Sequence, residues 1–368
     1  MNSPVNSPVS APVHNAVKLK LAGIVALLAV LGVFPLVLTN PLVTTFGVLT
    51  LIYLAAVAGW NLFSGYSGYI SLGHAVFFGA GAYLVAIAAR DWHLSGSGVF
   101  ALLPLAGAVA AVIAVPFGLI ALRVRRHTFV VITIAVFFIF QLMAFNLSVT
   151  GGSSGVLAPT VNWQAATFNN PFYYIAFAVA TVTVAVSWLI RRSRFGLQLL
   201  AIRDDEDRAR GLGVRTGRVK LAAFVISAVP MGVVGGLWMY FTGQVLPQYG
   251  FDPAFDLTIA LMAFLGGFGT VAGPVLGALV LEPLQQEFTL QFSNGNLNLI
   301  LYGALFLVVI LFLPRGVIPS ASSWITAWRA RHAAGAQVPA PAPAAAQAGA
   351  QAGTAAGTAG LSNKGGVR

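Results

Sequence analysis

Long apolar runs separated by short polar interruptions fill most of the chain, at about residues 21–38, 42–63, 75–89, 99–122, 128–147, 172–190, 221–242, 257–282 and 297–313. Most approach the ~20 residues that a helix needs to cross a ~30 Å hydrocarbon layer. Between residues 21 and 89 there is no Asp, Glu, Lys or Arg, which leaves room for at least two crossings. The first run is too long for a signal-peptide core and no small-residue cleavage site follows it, so the pattern predicts a retained span. The expected fold is all-α and polytopic, with about eight to ten transmembrane helices including broken or re-entrant segments.

Two interruptions fall where helices would otherwise run on. Residues 64–74 read SGYSGYISLGH, and residues 265–274 read LGGFGTVAGP. Helix-breaking backbone is tolerated at membrane depth only where protein or a water-filled cavity covers it. Glycine-interrupted apolar segments in both halves of a chain point to a transport pathway. The pattern predicts a non-helical or re-entrant element over 64–73, with His74 opening the next helix.

Composition reinforces the membrane reading: 58% of residues are hydrophobic and 8% charged, against about a quarter charged in globular proteins. The net charge of +11 raises a nucleic-acid partner, and its distribution argues against one. The cations gather at Lys18/Lys20, Arg123/Arg125/Arg126, Arg191/Arg192/Arg194, 203–220 and Arg315/Arg329/Arg331, each beside the end of an apolar run. That is the positive-inside pattern of cytoplasmic loops. It predicts a cytoplasmic N-terminus, with loop 148–170 and the loop holding Asp252 and Asp256 outside. Nine full spans would strand the last arginines outside, so a re-entrant pair near 265–274 is expected to return the C-terminus to the cytoplasm.

Residues 1–17 and 319–368 are rich in small and polar residues and are expected as disordered tails around a permease domain at 18–318. The chain has no cysteine, hence no disulfide or thiolate site. It has no HExxH metal motif, no phosphate-binding loop and no visible nucleophile or paired-carboxylate constellation.

The longest charged segment, 196–224, reads GLQLLAIRDDEDRARGLGVRTGRVKLAAF. A solvated loop is its simplest reading. Its order suggests more: Asp204 and Asp205 suit a helix start and Gly213 suits a helix stop, giving a short helix tied to two spans. Here the chain resembles the membrane subunits of ABC importers, whose cytoplasmic coupling helix docks into an ATPase; Glu206, Asp207, Ala209 and Gly213 carry the pattern, with Arg208 where alanine is usual. A narrower resemblance is to the M-type inner-membrane subunit of the branched-chain amino acid permease family. Four blocks carry it: 61–83, TGGSSGV at 150–156, 196–224, and LGGFGTVAGPVLGA at 265–278.

The resemblance implies an inner-membrane transport subunit with no cofactor of its own. ATP and Mg would be bound by two partner ATPases, beside a second, similar permease and a periplasmic binding protein. It implies ATPase coupling through Arg203, Asp204, Asp205, Glu206, Asp207, Ala209 and Gly213. It also implies a translocation path near Gly65, Tyr66, Gly68, Tyr69, Ser71, Gly73, His74, Gly266, Gly267, Gly269 and Thr270, and docking of the binding protein near Gly151, Gly152, Asp252 and Asp256. The substrate would be a branched-chain or related amino acid, or a small amide such as urea.

Other readings of the same residues stay open. His74 is equally a helix-to-helix hydrogen-bonder, the aromatics Tyr66, Tyr69, Phe77, Phe78 and Tyr83 an interfacial belt, the glycines close-packing positions, and 151–155 a flexible turn. An ion-coupled secondary transporter is the alternative function class. Such carriers place a carboxylate within a span, and the pattern puts none centrally, with Glu282 and Glu287 the nearest.

Overall fold

The computed structural model describes residues 27–38, 40–159, 163–164, 167–291 and scattered positions between 303 and 320. The expected tail at 1–17, all but one residue of 319–368 and most of the apolar run 297–313 lie outside the described residues.

Helices account for nearly all described secondary structure. Helix α1 (Leu27–Val37) is followed by α2 (Pro41–Trp60), which continues through a wider π turn, Asn61–Gly65. Next come α3 (Ala75–Asp91), a 3₁₀ turn into α4 (Leu103–Ala121), α5 (Arg126–Asn146) and α6 (Asn169–Arg192). Two short helices, α7 (Arg194–Asp204) and α8 (Glu206–Gly211), lead into α9 (Thr216–Thr242). A single turn, α10 (Pro247–Gly250), precedes the half-length α11 (Pro253–Gly266) and then α12 (Ala272–Gln291). Five helical stretches are long and apolar enough to cross a membrane: 41–65, 96–121, 126–146, 169–192 and 216–242. The all-α polytopic expectation holds.

Local sequence explains the helix starts. Asn40 accepts a hydrogen bond from the Leu42 N–H at 3.0 Å, and Pro41 supplies the first helical turn of α2, the usual N-cap and proline arrangement. The Asn169 side chain donates to the Pro41 carbonyl and to the hydroxyls of Thr44 and Thr45, at 2.8–3.0 Å, fixing the start of α6 beside the start of α2.

The interior is organised around α9, which packs on α2, α3 and α4. Small residues allow this: a Cβ on Gly81 of α3 would come within 2.7 Å of Gly232 Cα on α9, so the backbones touch as they do at small-residue membrane interfaces. A ring cluster of Phe63, Phe77, Phe117, Phe129 and Phe224 fills the space around His74, with Phe63 and Phe224 edge-to-face at 5.0 Å. The faces of α5 and α6 are far more exposed than α2 or α9, leaving a broad apolar periphery.

At the end opposite the arginines, β1 (Val156–Leu157) pairs antiparallel with β2 (Gln244–Val245). The TGGSSGV block that precedes it is a wound turn, with Gly151, Gly152 and Gly155 all at positive φ.

Candidate functional site

The two glycine-rich interruptions meet. The first break runs over 68–74, between the helical turn that ends α2 and the start of α3, and the second over 267–271, between α11 and α12. Both are narrower than the sequence suggests. Residues 64–67 remain helical, and Pro274 falls in the first turn of α12, where a missing N–H costs nothing.

Asn61, fully buried in the π turn, stitches the breaks together. Its amide nitrogen donates to the Thr270 carbonyl at 2.9 Å and its oxygen accepts from the Gly269 N–H at 2.8 Å. A Cβ on Gly65 would stand 3.0 Å from Gly269 Cα, so two glycine backbones face each other across this seam.

Arg203, the penultimate residue of α7, enters the seam from the side. It donates to the Gly65 carbonyl at 2.9 Å and lies over the Phe268 ring at 4.9 Å. A Cβ on Gly269 would stand 3.1 Å from the guanidinium carbon, and one on Gly68 would stand 3.0 Å from Arg203 Cγ. Both glycines adopt positive φ, +76° and +73°, where a side chain is also strained.

A second contact joins the first break to α8. The Tyr69 hydroxyl donates to Glu206, and Lys220 of α9 donates to Glu206 at 2.8 Å and to the Tyr69 hydroxyl at 3.1 Å. Burial opposes the ionised form of Glu206, but the hydrogen bonds from Lys220 and Tyr69 outweigh it and hold the carboxyl below its usual range. Beside this group a cavity of about 520 Å³ is lined by Arg123, Arg125, Arg126, Asp204 and Asp207. Arg126 donates to the carbonyls of Ile202 and Arg203 at 2.7 and 2.6 Å, capping the last turn of α7, where a cation suits the helix end.

The charged segment therefore forms two short helices where the sequence suggests one. Asp205 is the N-cap of α8, accepting from the N–H groups of Asp207 and Arg208 at 3.0 Å each. These bonds, the Arg208 contact first, pull its carboxyl below the ordinary value. Gly213, at φ +86°, ends the helix as expected. Glu206 and Ala209 face inward, whereas Arg208 and Leu212 project outward, Leu212 with 85% of its surface exposed.

Asp256 requires a correction. It lies within α11, 1% exposed, with both carboxylate oxygens accepting from the Ala75 N–H at 3.1 and 3.2 Å. The reason is local: Asp252 accepts from the Ala254 N–H at 2.9 Å and Pro253 follows, so α11 starts earlier than its apolar run and carries Asp256 inside. Neither acid is a free charge on a loop: Asp256 is a buried carboxylate inside the bundle, on a helix too short to be one of the five crossing stretches. Asp256 caps the N-terminus of α3, as a carboxylate at the positive end of a helix does. His74 lies beside it, its Nδ1 2.9 Å from Ser71 Oγ and its Nε2 2.9 Å from Ser227 Oγ. Ser227 is eleven residues into α9, about 16 Å from its arginine-rich end, so this cluster lies near the middle of a ~30 Å core.

The aromatics of the first block are interior residues. Tyr66, Tyr69, Phe77, Phe78 and Tyr83 are all at most 5% exposed, which removes the interfacial-belt reading. Tyr66 bonds the Ser187 hydroxyl at 2.7 Å. Glu282 is also buried, in α12. Among the described residues there is no cluster of three metal-ligating side chains.

Asn61 is the residue that sequence reasoning missed. The signal was present: an amide at the end of a twenty-residue apolar helix has to find partners in the interior.

An all-α bundle with two glycine breaks joined in its interior fits a transport pathway, and the comparisons supply the class. A family model described as "Branched-chain amino acid transport system / permease component" matches residues 17–310, and the chain belongs to that family. It is a multi-pass membrane permease subunit of the ABC importer type, not an enzyme. It is 28% identical over 334 residues to the high-affinity branched-chain amino acid transport system permease protein LivM of Escherichia coli, covering 83% of this chain and 76% of the relative. It is 27% identical to the permease protein LivH of the corresponding system in Salmonella typhimurium, over 72% of this chain and 91% of the relative. A shorter match, 27% over 38% of this chain and 43% of the relative, is to the autoinducer 2 import system permease protein LsrC of Photorhabdus luminescens. No solved structure matches the chain.

Proposed function

We propose that this chain is the M-type subunit of an importer for branched-chain or related amino acids, or for small amides such as urea, working by alternating access and driven by separate ATPases. Its partners are a second, similar permease, two ATPase subunits that hold ATP and Mg, and a binding protein at the end formed by the 151–157 turn. The arginine-rich end is cytoplasmic, as are both termini, consistent with the positive-inside pattern. Gly151 and Gly152 remain at the surface that meets the binding protein.

The observation that carries this reading is the attachment of α8 to the first break through Glu206, Tyr69 and Lys220. A helix with an exposed apolar knob, Leu212, on its outer side and a wired inner side is suited to receive motion and pass it inward. An exposed large apolar residue is also the kind of anchor that fills a partner's pocket.

Replacing Leu212 with Asp tests it in the assembled complex reconstituted in vesicles. The chain is expected to insert and fold normally, because the Leu212 side chain projects away from the bundle, while ATP-driven uptake falls at least tenfold. Unchanged uptake would overturn the docking role. Uptake by the lone chain on a proton gradient, without ATP, would overturn the importer reading.

A further inference from the structure

Asn61 and Arg203 form a unit whose position has a consequence beyond docking. The seam between the breaks is held by three polar contacts: Asn61 to Thr270, Gly269 to Asn61, and Arg203 to Gly65. Two come from one side chain on the π turn that ends α2 and one from α7. Tyr69 and Glu206 tie the first break to the cytoplasmic helices, whereas Arg203 reaches both breaks at once, through Gly68 on one side and Phe268 and Gly269 on the other.

We infer that Asn61 and Arg203 are positioning residues that latch the two glycine breaks into a closed gate, and that withdrawal of Arg203 with α7 is the step that frees it. This rests on the reading of α7 and α8 as the element that ATPases move.

The chemistry suits a reversible latch. Asn61 supplies one donor and one acceptor to the backbone of two adjacent residues, Thr270 and Gly269, as a paired strand would. Arg203 supplies a charged donor to a carbonyl and a flat face to Phe268, interactions that a guanidinium makes together and an ammonium does not. Its anchor is outside the seam, where Arg126 fixes the α7 carbonyls, so the side chain follows that helix. The facing glycines leave no side-chain packing between Gly65 and Gly269. Trp60 also packs on Phe264 and Phe268 beside the seam, but the facing glycine backbones themselves are joined only through these polar contacts.

The natural absence of cysteine allows a direct test. Ser64 is fully buried beside Gly65 and accepts from the Ser71 N–H at 3.3 Å, and Ser64→Cys is a near-isosteric reporter. The full chain is placed in membrane vesicles without nucleotide, and an impermeant thiol reagent is added from either side. The Ser64→Cys chain with no other change is expected to stay unreactive. Adding Arg203→Ala or Asn61→Asp is expected to speed labelling at least tenfold, the factor equivalent to about 1.4 kcal/mol, with Arg203→Lys in between. Tyr240→Phe, which removes a hydrogen bond to Gly96 at the far end, controls for general loosening and is expected to leave labelling slow.

Labelling unchanged by Arg203→Ala and Asn61→Asp would overturn the latch, as would equal acceleration by Tyr240→Phe. Neither result depends on the ATPase. A positive labelling result with normal uptake by the Leu212→Asp complex would keep the latch and remove the docking reading.

Discussion

The two glycine breaks solve one problem in different ways. The second closes on itself: the Thr270 hydroxyl donates to the Gly267 carbonyl at 2.8 Å and accepts from the Gly273 N–H at 2.9 Å, so a residue inside the break caps the helix that follows. The first depends on distant chain. Asp256 caps α3 from 181 residues away, Thr133 of α5 accepts from the Leu72 N–H at 3.2 Å, and Tyr69 is tied to Glu206. Both breaks make distant contacts, the second through Asn61, but the second supplies its own helix cap whereas the first takes its cap from another helix. The cap of the first therefore reports on the arrangement of the whole bundle.

The sharpest way to break this comparison is Asp256→Ala. It leaves the α3 N-terminus uncapped in an apolar interior, at a cost of about 2 kcal/mol or more. The expected result is a melting temperature in detergent well below that of Asp256→Asn, which keeps an acceptor oxygen. If the two variants melt alike, the carboxylate is not the cap. Next is Gly269→Ala. It places a Cβ against the Gly65 carbonyl at 2.7 Å and strains a backbone at φ +76°, worth about 1–2 kcal/mol in conformation alone. Uptake is expected to fall more than tenfold while the chain still reaches the membrane, and wild-type uptake would argue that the seam has no role.

The difference between the breaks also explains what the sequence discloses. Gly68, Gly267 and Gly269 adopt positive φ, so the places where helices end were legible from glycine alone, as was the stop at Gly213. The helix spans were legible because long apolar runs admit little else. Asp256 was misplaced because the apolar run begins one residue later, and the pair Asp252–Pro253 that starts the helix reads equally well as loop. The paired contacts of Asn61 with the second break span more than 200 residues, and no local pattern encodes them. Tertiary wiring of this kind is invisible to periodicity.

Thr270→Val refines the local half of the comparison. It keeps the shape and removes the cap of α12, for about 1 kcal/mol, and the expected loss of melting temperature is smaller than that of Asp256→Ala. A larger loss would mean that the Thr270 hydroxyl does more than cap α12.

The smallest expected effect is a pH dependence that only the first break has. The Glu206 carboxyl is held below its unfolded value near 4.5 by Lys220 and Tyr69. A depressed carboxyl contributes stability that is complete above the unfolded value and is lost as pH falls through the lower, folded one. Wild type should therefore melt above Glu206→Gln at pH 7, by a few degrees at most because the group is part-exposed. The gap should close as pH falls below about 4.5, whereas the effect of Thr270→Val, which involves no titrating group, should keep its size across that range. A gap that stays constant with pH would show that the Glu206 contact acts through shape alone, and the first break would lose its charged tie to α8.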